Sequence, residues 1–448
     1  MKKRNDLYEF VKRINLVYEN DNDFSIESAR SVVKELNEFL YTTYDDIGIV
    51  EALGAEYKFF SEFHRYWDEH YVEILDAYID DIRCEQVADA LYKVYKSSQG
   101  KAFSGVYDTY KLSKEEVCRI RMLTANQDFR GSRKFEDLVA VYEEDNSIFD
   151  EKLINESPED FLKSIKVGEL SQNDKRLRYA KELTYLLLEK NSSPYELIDH
   201  YNRDVYELRN ALINWNGAGY GNKKADMFVR DMVVLGVWKD VKNFDKINVA
   251  SDVNTIKVAL RTGILKTAIP LVSSFLDIFC KQYSYIDDMT AEAWRRVWEI
   301  FVEKYPNTEI ISPCLFDYFV YNVVGKQFCK EILSVFVGDE CEHTFYWHSS
   351  RIKKCQECYR MKRISSPAHL AKKLYPCEDV NGVISIKSTD FYKQEICTPN
   401  LEKCPFEDIC KDNSVVKLKP PKSISIMGQT GWLEAYTNKG EGGGGLMA

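Results

Sequence analysis

Long apolar runs are missing from this chain. No stretch of about eighteen uninterrupted apolar residues occurs in its 448, so a membrane-spanning helix is not expected. The opening Met1-Lys2-Lys3-Arg4-Asn5-Asp6 leads into an amphipathic segment and lacks a signal-peptide core. Both absences point to a soluble, cytoplasmic protein. A disordered composition is absent as well: 45% of residues are apolar and 29% charged, and 29 Tyr and 23 Phe supply stacking surface. Net positive charge is also lacking, with 61 Lys and Arg against 71 Asp and Glu. That deficit is local. Residues 1–110 hold 13 basic and 22 acidic side chains, and the remaining 338 residues hold 48 and 49. The body of the chain can therefore display basic patches, while the acidic quarter suits a protein partner.

Period-2 strands are missing from the middle of the sequence, and helical spacing fills it. Ala29, Val32, Val33, Leu36 and Leu40 repeat at three and four residues, as do Leu7, Phe10, Val11, Ile14 and Val17. Ser97-Ser98-Gln99-Gly100-Lys101 is a polar break. Ser113-Lys114-Glu115-Glu116 then has the form of a capped helix start, and helical periodicity runs on to about residue 335. Short strand-like pieces, Val383-Ile384-Ser385-Ile386 and Ser423-Ile424-Ser425-Ile426, appear only beyond that point. The expected organisation is an acidic helical region (1–110), a helical core (111–335), a Cys-rich region (336–430) and a flexible glycine-bearing tail (431–448).

The informative segment is Asn216-Gly217-Ala218-Gly219-Tyr220-Gly221-Asn222-Lys223-Lys224-Ala225-Asp226. An amphipathic helix ends before it near Leu212-Ile213, and Ala225, Phe228, Val229 and Met232 resume helical spacing after it. Two helices joined by so few residues with three glycines make a tight hairpin. Glycine permits positive φ and close backbone approach, and the N–H groups opening the second helix suit a phosphate. An αα turn with glycine caps is the plainer reading of the same residues.

This hairpin resembles that of the helix-hairpin-helix DNA glycosylases, the superfamily of endonuclease III and the 8-oxoguanine glycosylases. Gly219, Gly221, Lys223 and Ala225 fit the Gly-x-Gly-x-Lys-x-Ala ending of the lyase branch. Downstream, Asn248-Val249-Ala250-Ser251-Asp252-Val253-Asn254 resembles the loop bearing the family's catalytic aspartate. Upstream, Met122-Leu123-Thr124-Ala125-Asn126-Gln127-Asp128 is similar to the helix end that offers Asn or Gln to DNA, and Lys175-Arg176-Leu177-Arg178-Tyr179-Ala180 to a basic middle helix. The likeness spans about residues 113–335. It implies a mainly α fold with a glycosylase core, an extra N-terminal helical region and a small Cys-rich metal-binding region. It further implies a nucleoid-associated enzyme, if prokaryotic, acting on double-stranded DNA that carries a modified base, in base excision repair or in defence against modified phage DNA.

The residue types suit that chemistry. Breaking an N-glycosidic bond builds positive charge on the sugar, so a carboxylate beside C1′, here Asp252, stabilises the transition state or activates the nucleophile. A neutral lysine amine, here Lys223, attacks C1′ and forms a Schiff base, after which β-elimination nicks the strand. Lys224 is the rival one residue on. Gly217, Gly219, Gly221 and Asn222 are the expected phosphate contacts, and Asn126 and Gln127 fill the gap left by an extruded base. N-capping for Asp252 and a solvated first-turn position for Lys223 are the plainer roles. The alternative function is a non-catalytic helix-hairpin-helix module that clamps DNA and recruits a partner through the acidic N-terminal region.

The twelve cysteines divide sharply. Five are scattered in apolar contexts, while Cys341, Cys355, Cys358, Cys377, Cys397, Cys404 and Cys410 crowd the C-terminal quarter and read as metal ligands. Cys341-Glu342-His343 with Cys355-Gln356-Glu357-Cys358 suits tetrahedral zinc, with His348 able to replace His343. Cys404-Pro405 and Cys410 match the last pair of the iron–sulfur loop in endonuclease III-like glycosylases. Leu401 stands where that loop has a cysteine, and Cys397 is out of step. Zinc is the expected metal and an iron–sulfur cluster the alternative.

Overall fold

The structure is a computed structural model, and it describes residues 25–38, 58–104, 109, 111–128, 133–167, 172–268, 280–328 and 404–411, together with Leu16 and short strand backbones at 48–50 and between 333 and 435. These residues are mainly helical. In chain order the helices are α1 (Ile26–Glu38), α2 (Lys58–Leu75), α3 (Asp81–Ser98), α4 (Lys114–Ala125), α5 (Phe135–Glu144), α6 (Glu151–Glu156), α7 (Pro158–Ser164) and α8 (Asn173–Glu189). They continue with α9 (Val205–Asn214), α10 (Asn222–Val234), α11 (Val253–Thr262), α12 (Cys280–Lys304), α13 (Phe316–Phe319, which runs on into a π-helical segment Val320–Phe328) and α14 (Glu407–Lys411). Among the described residues no helix is long and apolar enough to cross a membrane.

The local signals explain the helix starts. Ser113 and Glu116 close a reciprocal capping box on α4, with Ser113 N–H donating to Glu116 Oε2 at 2.7 Å and Glu116 N–H to Ser113 Oγ at 3.3 Å. Asp204 caps α9 through the N–H groups of Tyr206 and Glu207. The polar break after α3 is a helix end: Gln99 and Gly100 take left-handed conformations (φ 51° and 78°), and the Gly100 N–H donates to Tyr95 O at 3.0 Å.

Apolar residues on both sides of that break enter one continuous core, from Ala29 through the α3 stripe (Cys84, Val87, Leu91, Val94) to Val324 and Phe406. Trp67, Trp238, Trp294 and Phe228 are among its largest fully buried side chains. Helix α3 lies along α12. Tyr92 and Tyr305 stack with ring centroids 3.6 Å apart, Arg296 pairs with Asp81, and Lys304 reaches Glu85 and Asp89. A two-stranded pairing of Tyr78–Ile79 with Leu265–Lys266 clasps the N-terminal part to the end of α11. Farther along, the backbone at 333–338 pairs antiparallel with strands at 344–347, 374–376 and 384–386, and 424–427 lies between 48–50 and 432–435.

Candidate active site

The hairpin between α9 and α10 is built around its glycines, for two different reasons. Gly217 (φ 88°) and Gly219 (φ 77°) are left-handed and press against α8. A Cβ on Gly219 would lie 2.5 Å from the Tyr179 ring, and one on Gly217 would lie 2.9 Å from Glu182 Cγ. Gly221 has an ordinary extended backbone (φ −105°) and N-caps α10 without a side-chain hydrogen bond, and a Cβ there would have nothing within 4 Å. Gly221 alone leaves open space in front of the helix N-terminus.

The two adjacent lysines separate cleanly. Lys224 turns inward: its Nζ donates to Asn126 O at 2.9 Å and Gly219 O at 3.4 Å and lies 5.7 Å from the Tyr179 ring centroid. Burial pushes its pKa down to about 8. Lys223 turns outward, with 46% of its side chain exposed, and its Nζ lies 3.2 Å from Asp252 Oδ2. The contact joins α10 to the start of α11 across 29 residues of sequence.

Asp252 serves two ends of its carboxylate at once. Oδ1 accepts from the N–H groups of Asn254 (2.7 Å) and Thr255 (3.1 Å), capping α11, and Thr255 Oγ1 accepts from the Asp252 N–H. Oδ2 faces Lys223 and accepts from Asn254 Nδ2 at 3.4 Å. The residue is only 7% exposed. The cap thus fixes the orientation in which the second oxygen meets the lysine.

Asn222 is committed to a polar bridge. Its Oδ1 accepts from Arg209 and its Nδ2 donates to Asp288 Oδ1. Arg209 forks onto Asp226 at 2.7 and 3.1 Å, tying α9 to α10 behind the hairpin. Asn126 and Gln127 sit inside the molecule, at 0% and 2% exposure. Asn126 Nδ2 donates to Tyr179 O and Ala218 O, both at 3.0 Å. Gln127 Nε2 donates to Arg176 O, and Arg176 returns a bond to Gln127 O. Both side chains join the end of α4 to α8, and Asn126 also holds the hairpin; neither faces solvent.

Below the lysine lies a buried ionic cluster that sequence reading did not single out. Asp231, fully buried, accepts from Arg121 at 2.9 Å, from Arg230 at 2.7 and 2.9 Å and from the Tyr318 hydroxyl at 2.9 Å. Burial alone would raise the pKa of Asp231, but the Arg230 and Arg121 guanidinium groups lower it on balance. Arg230 also pairs with Asp317 and stacks 4.2 Å from the Tyr318 ring centroid. Asp287 on α12 was likewise passed over. It belongs to an Asp-Asp pair on an amphipathic helix, a faint signal that only its spatial neighbours make meaningful.

Of the expected metal ligands, Cys341, His343, Cys355, Cys358, Cys377 and Cys397 lie outside the described residues, as does His348. Cys404 and Cys410 are described, half-buried and not joined by a disulfide. They flank Phe406, which is buried in the core, and Arg83 of α3 donates to Ile409 O at 3.0 Å between them. Among the described residues no group of three or more metal-ligating side chains assembles. The chain matches no known protein-family model, and no curated protein matches its sequence.

Proposed function

We propose that this protein is a DNA glycosylase that flips a modified base out of the duplex and cleaves its glycosidic bond, with AP-lyase activity through Lys223. The observation that carries the reading is the 3.2 Å approach of Lys223 Nζ to Asp252 Oδ2, two reactive groups brought together beside a hairpin whose Gly221 leaves the helix N-terminus open. A phosphate on the first-turn N–H groups of α10 fixes the strand register. Passing one proton from Lys223 to Asp252 frees an amine lone pair for attack at C1′. The cap on Asp252 Oδ1 keeps Oδ2 aimed at the lysine and at the positive charge developing on the sugar. Loss of the base and ring opening leave a Schiff base, and β-elimination nicks the strand.

The buried Asn126 and Gln127 act in this reading by holding the hairpin and α8 in register. The cysteines at 341–410 hold zinc, or alternatively an iron–sulfur cluster, as a structural element without a step in catalysis. The acidic N-terminal region keeps a protein partner as its proposed ligand.

Borohydride trapping on an abasic duplex tests the reading. Wild type should form a covalent adduct, Lys223→Ala should form none, and Lys224→Ala should not copy that loss if it folds. Asp252→Asn, which keeps the cap, should lose base release while DNA affinity stays within a few-fold; Asp252→Ala should also lose about 1 kcal/mol of stability. Tight DNA binding with no adduct and no base release by wild type would replace the enzyme with a non-catalytic clamp.

A further inference from the structure

Asp287, in the second turn of α12, lies within electrostatic reach of the proposed pair. Helix α12 packs on α11, where Trp294 Nε1 donates to Thr255 O at 3.4 Å. This packing brings the Asp287 carboxyl next to the hydroxyl of Ser251, the residue immediately before Asp252. Neither Asp287 Oδ1 nor Ser251 Oγ makes an aligned hydrogen bond among the described residues, although both atoms are buried. Thr290 Oγ1, one turn along α12, is a third buried atom of this kind. Buried polar atoms without partners are costly, and a cluster of them beside reactive groups marks a place where a ligand completes the bonding.

The two carboxyls of the site therefore differ in kind. Asp252 has its oxygens occupied by two N–H groups, an amide and an ammonium, and is placed to accept a proton. Asp287 is desolvated, has an unoccupied oxygen and is placed to hold one. Unequal environments for two neighbouring carboxyls separate a base from an acid.

We propose, on the glycosylase reading above, that Asp287 is the general acid that protonates the departing base. As the Lys223 amine forms its bond to C1′, the C1′–N glycosidic bond breaks and its electron pair leaves with the base. The Asp287 proton passes to the base, which departs neutral, and Asp287 becomes a carboxylate. The alkylated Lys223 nitrogen then returns a proton to Asp287, so the step exchanges one C–N bond for another and moves one proton. The charged groups facing Asp287 are Lys223 of α10, Asp252 at the head of α11 and Asp288 of its own helix. Burial pushes the Asp287 pKa up to about 6; the Ser251 hydroxyl and Lys223 lower it, and Asp288 and Asp252 raise it.

Two reactions of the full chain test the idea: borohydride trapping on an abasic duplex, which has no base to release, and single-turnover base release from duplexes carrying 8-oxoguanine and from modified phage genomic DNA. Asp287→Asn should trap within about threefold of wild type yet release base about 10²-fold more slowly, and Asp287→Glu should recover much of that loss. The ratio of wild-type to Asp287→Asn release should be greatest below pH about 6 and fall about tenfold per pH unit above it as Asp287 loses its proton. A ratio independent of pH, or trapping and release falling together, would make Asp287 a structural residue and overturn the proposal. Wild-type trapping without release from any of these DNAs would overturn it too, while leaving the lyase role of Lys223 standing. Neither reaction in wild type would remove the glycosylase reading itself, and the proposal with it.

Discussion

Single atoms separate the hairpin glycines. Gly219 is left-handed, and its missing Cβ leaves room for the Tyr179 ring; Gly221 has an extended backbone and open space. Gly219→Ala therefore meets both backbone strain and a clash, and should cost about 1–3 kcal/mol of stability. Gly221→Ala should stay within about 0.5 kcal/mol of wild type and, on the proposed function, still weaken binding to any DNA duplex, because its new methyl group would stand where that reading brings a phosphate to the α10 N–H groups. Urea denaturation and fluorescence anisotropy on unmodified duplex separate the two effects. A Gly221→Ala variant that binds DNA like wild type would remove the hairpin from the binding surface. The same scale explains the lysines. Helical spacing placed Lys223 opposite the Ala225/Phe228/Val229/Met232 stripe, and all four of those residues are fully buried while Lys223 is exposed.

At the scale of elements, periodicity predicted the helices well and their polar partners poorly. The spacing around Ser113, the end of α9 near Ile213 and the helix opening at Asp252 were all legible, because each depends on neighbours within a turn. Arg230 and Asp231 were not legible: they adjoin the apolar stripe of α10, and their burial is made tolerable by Arg121, 110 residues before Asp231, and by Asp317 and Tyr318, 87 residues after their partners. Asn126 and Gln127 follow the same logic, since the carbonyl groups that draw them inward belong to residues 176, 179 and 218. Sequence spacing reports a face, and a long-range partner decides whether a polar side chain on it goes in. Asp231 joins α4, α10 and α13, so removing its charge takes a carboxylate away from two buried guanidinium groups, of which Arg230 keeps Asp317. Asp231→Asn should cost about 3–5 kcal/mol, read as a lower urea midpoint with an unchanged slope. A midpoint within experimental scatter of wild type would mean that the cluster contributes nothing to holding these helices together.

Across the whole molecule, part of the acidity of the N-terminal quarter is spent internally. Asp81, Glu85 and Asp89 line α3 at helical spacing and meet Arg296 and Lys304 of α12. Arg83, on the same helix, grips the carbonyl between Cys404 and Cys410, and Phe406 enters the common core. The end of the Cys-rich region is thus anchored to the helical body by packing that needs no metal. The rest of that region has few periodic apolar residues to bury, and the proposed function assigns a thiolate-bound metal to hold it. Protein purified anaerobically should carry about one or two equivalents of zinc, or iron with a brown colour if the thiolates hold a cluster. Stripping the metal with a chelator should make residues 341–403 more sensitive to protease while the far-ultraviolet helical signal and the anchored 404–411 turn persist. Replacing Cys355 and Cys358 together with serine should reproduce the effect for zinc, whereas Cys404→Ser with Cys410→Ser should do so for a cluster. Protein with neither metal, and with unchanged protease sensitivity in both double variants, would refute the metal reading, and the seven crowded cysteines would then be buried thiols.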